Sequence, residues 1–495
     1  MKIPQEVETV VETLSKNGFE AAVVGGCVRD LLRKKEPEDW DVATNATPED
    51  VQKLFPENFY DNKFFTVTVK TESENPKLKE IEVTTYRTEF KYQDRRRPEE
   101  VKYAQNLEED LLRRDFTMNA IALRPKRSLG QEHPKLRLGL EIVDPFEGQK
   151  DLKAKLIRAV GSAEERFQED ALRMLRGVRF FATLGFSLEP ETRNAIQKNA
   201  SLLQEISQER MRDEFVKLVM SERAFEAVQE LQDLGLLSFI VPELLEGWGV
   251  SQNKHHKYTV WEHNIRSLEF AVQKGWSLEV RLASLLHDVA KPRVKKGEGL
   301  DSTFHGHEVV GERMAKDILS RLRFPQKTIE KVAKLIRYHM FYYNVGEVTD
   351  YSVRKLARNI GSDSVEELLQ VRQADRIGSG VPKAEPYKLR HLRYMLEKVS
   401  QDPILPKMLA VKGDEVMETL KLEPGPKVGQ ILDILLEEVL ENPKNNKKEF
   451  LQTRIVALGR LSDKELQKLS EQAKKGRADV ETRRDEMTKQ KYWVT

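Results

Sequence analysis

The sequence predicts an α+β multidomain protein, with a mixed-sheet head in its first 150 residues and all-α regions after it. Three observations lead there. Apolar and β-branched runs bounded by turn residues fall at 20–24, 39–43, 64–69, 79–86, 119–123 and 140–143. From 163 to 235 the apolar spacing becomes that of consecutive amphipathic helices, broken at Gly185, Pro190 and near Gly235. The length, 495 residues, exceeds what one ordinary core organises. The boundaries read as 1–150, 151–245, 246–388 and 389–495.

Composition narrows the class only a little. Charged residues make up 33% of the chain, yet the net charge is +2, so a nucleic-acid surface must be a local patch. The single cysteine, Cys27, cannot form an internal disulfide, which fits a reducing cytoplasm. The start, MKIPQEVETVVETL, reads as an acidic amphipathic helix and not as a signal peptide. No run approaches the apolar length of a membrane span, so a soluble, cytoplasmic protein is expected.

Chemistry concentrates near the start. Ala21 to Val24 reads as a strand, Gly25-Gly26 as a turn opening a helix, and Asp39-Trp40-Asp41 as part of a second strand. Side chains two apart on a strand share a face, so Asp39 and Asp41 would converge while Trp40 turns away. Convergent carboxylates can hold Mg²⁺, and a glycine turn at a helix start can take phosphates on its N–H groups. Glu82, between Ile81 and Val83, is the candidate third carboxylate on a neighbouring strand. Together they suggest metal-assisted phosphoryl transfer from a nucleoside triphosphate. Each feature alone has a plainer reading: a simple turn, a solvated strand edge, a polar residue on a half-exposed strand.

These residues resemble the nucleotidyltransferase superfamily of the polymerase-β type. Leu112-Arg113-Arg114-Asp115-Phe116-Thr117-Met118-Asn119-Ala120, Asp144-Pro145-Phe146-Glu147-Gly148 and Glu169-Asp170-Ala171-Leu172-Arg173 are more specific. They resemble signatures of class II tRNA nucleotidyltransferases and bacterial poly(A) polymerases. The resemblance covers roughly residues 20 to 190. It implies a polymerase-β-like nucleotidyltransferase head, with Asp39, Asp41 and Glu82 catalytic and Mg²⁺ at the two aspartates. It implies nucleotide binding by Gly25, Gly26, Arg29, Arg114, Asp115 and Asn119, and a hinge at Asp144 to Gly148. The implied partners are tRNA, CTP and ATP.

Asp170 and Arg173 are read as i, i+3 neighbours on one helical face. They could be a solvated ion pair, but their chemistry suits base selection. Cytosine and adenine each show an amino donor beside a ring-nitrogen acceptor, which an Asp and an Arg can meet. Uracil and guanine present the opposite polarity. Arg176 and Arg179 extend a basic stripe that suits triphosphate or primer, or is simply a solvated face.

A second cluster lies between 250 and 385. His263, the pair His287-Asp288 after the apolar run Val280 to Leu286, His307, His339 and Asp375 resemble the HD-domain metal-dependent phosphohydrolases; His305 falls in the same stretch. Such ligands suit Mn²⁺, Ni²⁺ or Co²⁺, with Mg²⁺ also possible, and the metal could be structural or catalytic. The substrates implied are phosphate esters such as 2′,3′-cyclic nucleotides or RNA ends.

The leading expectation is therefore a CCA-adding enzyme with a fused HD domain. The alternatives are a poly(A) polymerase, a CC-only enzyme, an RNA-end phosphohydrolase with a vestigial head, and a non-enzymatic RNA-binding protein. The segment from Thr84-Thr85-Tyr86-Arg87 through Asp94-Arg95-Arg96-Arg97-Pro98 resembles the loop of enzymes that add the terminal A. Lys412-Gly413-Asp414 and Pro424 to Gly429 resemble the family's tail, expected to grip tRNA. The highly charged end, 463–495, is expected to be a helix with a frayed terminus that adds nothing to a core.

Overall fold

The computed structural model describes residues 2–61, 65–87, 104, 106–126, 139–253, 257–341, 343–348, 350–400, 409–441 and 443–494. The stretch Asp94 to Pro98 lies outside the described residues. Two units form, 1–337 with 374–381 and 338–373 with 382–495.

The head begins with α1 (Gln5–Lys16), which buries Val7, Val10, Val11 and Leu14 along one stripe. Then come β1 (Ala21–Val24), α2 (Gly26–Leu32), β2 (Asp41–Thr44), α3 (Pro48–Leu54), β3 (Asn58–Asp61), β4 (Thr66–Lys70) and β5 (Glu80–Thr85). After α4 (Leu107–Leu112) follow β6 (Ala122–Pro125), β7 (Leu140–Val143) and α5 (Gly148–Ala154). The sheet runs β3-β4-β5-β2-β1-β6-β7, and only β2 and β5 pair in parallel. It is the mixed sheet that was expected. β1 is apolar throughout and buried throughout, whereas β5 alternates, with Ile81 and Val83 inward and Glu80 and Glu82 outward.

Three sequence expectations need correction. Asp39 lies in a bend and not on the strand, because the pairing with β5 opens where Glu82 N–H donates to Trp40 O at 3.0 Å. Asn119 sits in a 3₁₀ turn, Thr117–Asn119, and β6 starts three residues later. Local bonds from Asn119 N–H to Phe116 O (2.9 Å) and Ala120 N–H to Thr117 O (3.0 Å) hold the chain out of the ladder. Strand β3 had no apolar alternation strong enough to announce it.

The helical part of the first unit starts with α6 (Ala163–Glu169) and α7 (Leu172–Leu184), and a short ladder pairs β8 (Leu156–Ile157) with β9 (Ser187–Leu188). Gly185, at φ +70°, ends α7, and Pro190 opens α8 (Pro190–Asn199), as the breaks in the pattern predicted. Helices α9 (Gln208–Val219) and α10 (Ala224–Asp233) complete this layer. Two short helices, α11 (Leu237–Ile240) and α12 (Pro242–Leu245), lead to α13 (Val260–Gln273) and α14 (Leu278–Leu286). Then come α15 (Lys291–Val294) and α16 (His307–Arg321).

The second unit buries two apolar clusters. One gathers Val353, Leu369, Leu389 and Leu392, the other Val411, Ile431, Leu435 and Ile455. The charged end of the chain forms a helix, Asp463–Tyr492, and the segment contributes to both cores, through the helix and through the residue just past its cap. Leu466 joins the second cluster and Val494 the first.

Gly148 was read as a hinge residue, and the structure supplies a packing reason for it. A Cβ there would lie 2.2 Å from Thr117 O and 2.8 Å from Ile121 Cγ1, so α5 presses its start against the 3₁₀ turn. Asp144 ties the junction by accepting from Gly148 N–H (2.7 Å) and Gln149 N–H (2.9 Å). Gly148→Ala should therefore destabilise the protein by about 1–3 kcal/mol, seen as a lowered thermal midpoint. An unchanged midpoint would show that the turn yields freely.

Candidate active site

A cleft of about 640 Å³ in the first unit gathers Gly25, Gly26, Arg29, Asp39, Asp41, Glu82, Arg114, Asp115, Asn119, Asp170, Arg173, Arg176 and Arg179. All thirteen residues named above for the transferase chemistry line it. Gly25 is required by its backbone: φ is +81°, and a Cβ would fall 2.9 Å from Arg114 Nη1 and 3.2 Å from Asp41 Oδ2. Cys27, just beyond the turn, is buried and donates its Sγ–H to Val24 O at 3.0 Å. Burial, chiefly, pushes its thiol up to about 12.

The parallel register sets Asp41 beside Glu82 on adjacent strands. Burial, then the charge of Asp39, pushes the Asp41 carboxyl up to about 7, against the opposing pull of Arg114. Glu82 is raised too, by burial and by Asp39. A divalent cation would relieve the negative charge that Asp39, Asp41 and Glu82 bring to the cleft, and carboxylate oxygens are the donors a hard cation takes.

Asp115 is the node beneath the cleft. Its Oδ1 accepts from Phe116 N–H (2.8 Å) and Asn119 Nδ2 (3.0 Å), and its Oδ2 accepts from Arg176 Nε (2.7 Å). Burial opposes its charge, but Arg176 and Asn119 outweigh burial and hold the carboxyl down at about 2. Asn119 Oδ1 in turn accepts from Arg29 Nη1 at 2.9 Å. Asp110, also buried, accepts from Arg113 Nε (2.9 Å) and Arg114 Nη2 (3.1 Å). Arg179 donates to Glu214 Oε1 at 3.2 Å.

Asp170 and Arg173 both face the cleft, but not as one helical face. α6 ends at Glu169, Asp170 is its extended C-cap (φ −143°, ψ 100°), and α7 starts at Leu172. The two side chains are not paired with each other. Asp170 accepts from Leu172 N–H (3.1 Å) and Arg210 Nη2 (2.7 Å). Arg173 donates from Nη1 to Glu169 Oε2 (2.7 Å) and Arg166 O (3.2 Å), and from Nη2 to Arg113 O (2.8 Å). Sequence reasoning missed Arg210, Lys217 and Phe180, which also line the cleft. Nothing in the sequence ties Arg210 to a carboxylate forty positions away.

The second cluster is buried. His263 Nε2 and His287 Nε2 stand 2.9 Å apart, and His263 Nε2 lies 3.0 Å from Asp288 Oδ2 and 3.4 Å from Asp375 Oδ1. These four offer ligand atoms within 4.8 Å of one another. His307 Nε2 lies 3.2 Å from Asp288 Oδ1, and the Lys291 ammonium is 2.6 Å from Asp288 Oδ2. Burial drives His263 toward the neutral form, which leaves an imidazole lone pair for a metal. Burial works against Asp288's charge, yet Lys291 and His287 hold it well below the usual carboxylate range. This His/Asp group could hold a divalent metal. His339 is a buried residue of the second unit, and His305 is exposed.

Comparison with known proteins matches the regions that carry the two sites to described families. Residues 21–158 match the family described as Poly A polymerase head domain, and 260–379 match the HD domain. Residues 185–247 match one described as a probable RNA and SrmB-binding site of polymerase A. The chain is 35% identical over 439 residues to a CCA-adding enzyme of Lactobacillus delbrueckii subsp. bulgaricus, covering 88% of this chain and 93% of that one. A CCA-adding enzyme of Geobacillus stearothermophilus is 32% identical over 473 residues, 94% of this chain and all of the other. An A-adding tRNA nucleotidyltransferase of Deinococcus radiodurans is 37% identical over 347 residues, 67% and 75% of the two chains. The crystal structure of the Bacillus stearothermophilus CCA-adding enzyme in complex with CTP aligns at a TM-score of 0.58 and 30% identity, covering 93% of this chain and 98% of that one. Among the described residues no helix is long and apolar enough to cross a membrane.

Asp115 makes acid stability testable. A carboxyl held at about 2 in the fold, against 3.8 in the unfolded chain, stabilises fully above pH 4 and loses that contribution as pH falls toward 2. The loss is on the order of 2 kcal/mol. Denaturant titrations of Asp115→Asn should show a flatter decline between pH 4 and 2. At pH 7 the variant should be weaker by about 3 kcal/mol, since Arg176 loses its buried partner. Parallel acid limbs would mean the pair is not what holds the carboxyl down.

Proposed function

The chain belongs to the CCA-adding enzyme family of tRNA nucleotidyltransferases, and we propose that its cleft adds C, C and A to the tRNA 3′ end from CTP and ATP. One observation carries the reading: a carboxylate trio and an Asp/Arg pair able to read a base edge line one cleft. In the reaction the primer 3′-oxygen bonds to the α-phosphorus. The bond from that phosphorus to the β-phosphate oxygen breaks, pyrophosphate leaves, and the hydroxyl proton passes to solvent. Mg²⁺ held by Asp39, Asp41 and Glu82 would supply acidification of the 3′-hydroxyl and charge relief for the triphosphate.

The chain's own groups set position and choice. Backbone N–H groups at Gly25 and Gly26, with Arg29, Arg176 and Arg179, meet the phosphates, while Arg114, Asp115 and Asn119 border ribose and phosphate. Asp170 uses two acceptor sites on its neighbours, and a carboxylate offers about four, so it can still accept from an amino group. Three of Arg173's five N–H donors are engaged, which leaves donors for a ring nitrogen. This reading assigns residues 1–150 to catalysis, 151–245 to base selection and 389–495 to tRNA, in the cytoplasm where these substrates are found.

Transcripts ending at the discriminator base, at C and at CC test it directly, each with CTP, ATP or both. Products should stop at CCA. Addition of A to the CC transcript alone would make this an A-adding enzyme, arrest at CC would leave out the last step, and an A ladder on unrelated RNA would indicate a poly(A) polymerase. Asp39→Ala should lower addition by about a hundredfold or more while tRNA binding stays near wild type.

The His/Asp group is assigned to Mn²⁺, Ni²⁺, Co²⁺ or Mg²⁺, held by His263, His287, Asp288 and Asp375 with His307 alongside, and to phosphate-ester hydrolysis. His287→Ala with Asp288→Ala should remove bound metal, measured by elemental analysis, and hydrolysis of 2′,3′-cyclic nucleotides, with CCA addition retained. Hydrolysis that survives the double substitution would place that activity elsewhere.

A further inference from the structure

We propose that Phe180 is a positioning residue for the nucleotide's triphosphate, its ring the platform on which Arg29, Arg176 and Arg179 are held side by side at the cleft. The inference rests on reading that cleft as the nucleotide site. The three guanidinium carbons lie 5.3, 5.6 and 4.2 Å from the Phe180 ring centre. They come from two helices, yet one ring serves them all. Like charges this close repel, and burial together with Arg176 lowers the Arg179 guanidinium to about 10.

Each arginine is tethered on its other side. Arg29 donates to Asp30 Oδ2 (2.7 Å) and Asn119, Arg176 to Asp115, and Arg179 to Glu214. The carboxylates fix direction and offset charge; the negative π face fills the gap between the cations without adding a fourth anion that would repel phosphate. The ring itself is packed in place. It is 5% exposed and meets the buried Phe116 edge-to-face, centroids 5.8 Å apart at 89°. A triphosphate carries the multiple negative charge that three gathered guanidiniums would meet.

An aliphatic side chain would fill the space but lacks the quadrupole, so shape and electrostatics can be separated. The full chain would be compared with Phe180→Leu, Phe180→Tyr and a protein carrying a ring-fluorinated phenylalanine at 180. The readouts are the affinity for inorganic tripolyphosphate by calorimetry, KM and kcat for CTP on a tRNA transcript, inhibition by cytidine, and thermal midpoints. Leucine and the fluorinated ring should weaken tripolyphosphate binding and raise KM for CTP by about tenfold. Cytidine inhibition and kcat should move little, and tyrosine should behave as wild type. Unchanged tripolyphosphate affinity with the fluorinated ring overturns the proposal, as does an equal loss in Phe180→Tyr and Phe180→Leu. Should leucine fail to fold, the fluorinated ring, which keeps shape, still decides. A wild-type protein that extends no tRNA would count against the transferase reading instead, since tripolyphosphate binding is measured without it.

Discussion

The buried carboxylate of Asp115 is the constraint on which the cleft depends. It accepts from its own turn, from Asn119 and from Arg176, and Asn119 passes the connection on to Arg29. One charge therefore fixes the helix after the glycine turn, the 3₁₀ turn and the helix that carries the arginines. A buried carboxylate missing one of these donors would cost several kcal/mol, so the three elements are held in place together. The sheet supplies the other half. A single parallel pairing, β2 with β5, sets Asp41 beside Glu82.

Much of this could be read from the sequence because strand periodicity and the glycine turn are local. Six of the sheet's seven strands and the helix breaks at Gly185 and Pro190 follow patterns within a few residues. What escaped the sequence was set by long-range bonds. Asp170 reads as helical from spacing, yet it breaks the chain between two helices and is tied to Arg210 on a third. Asn119 precedes a run of apolar residues that looks like strand, but its backbone bonds locally. Phe180 looks like one more apolar residue of an amphipathic helix, and no periodicity distinguishes a core ring from one that carries cations. The charged C-terminal segment misled for the opposite reason: two of its few apolar residues, Leu466 and Val494, enter the two cores.

The two candidate metal sites differ in the way their expected cations would require. The transferase carboxylates line an open cleft beside groups suited to phosphate, and their donors are all oxygen, the chemistry of a cation exchanged with its nucleotide. The His/Asp group is buried, mixes nitrogen with oxygen, and carries a lysine ammonium against Asp288. That donor set favours a metal held more tightly and longer.

Cys27 bears on how the cleft ages. Its thiol is buried, donates to Val24 O and has a pKa near 12, so at neutral pH about one molecule in a hundred thousand carries the thiolate. Peroxide and alkylating agents react through the thiolate, and this one is both scarce and shielded. The sole sulfhydryl of the chain thus sits beside the Gly25-Gly26 turn as a small apolar filler, and the packing that shapes the turn also shields the thiol from oxidants.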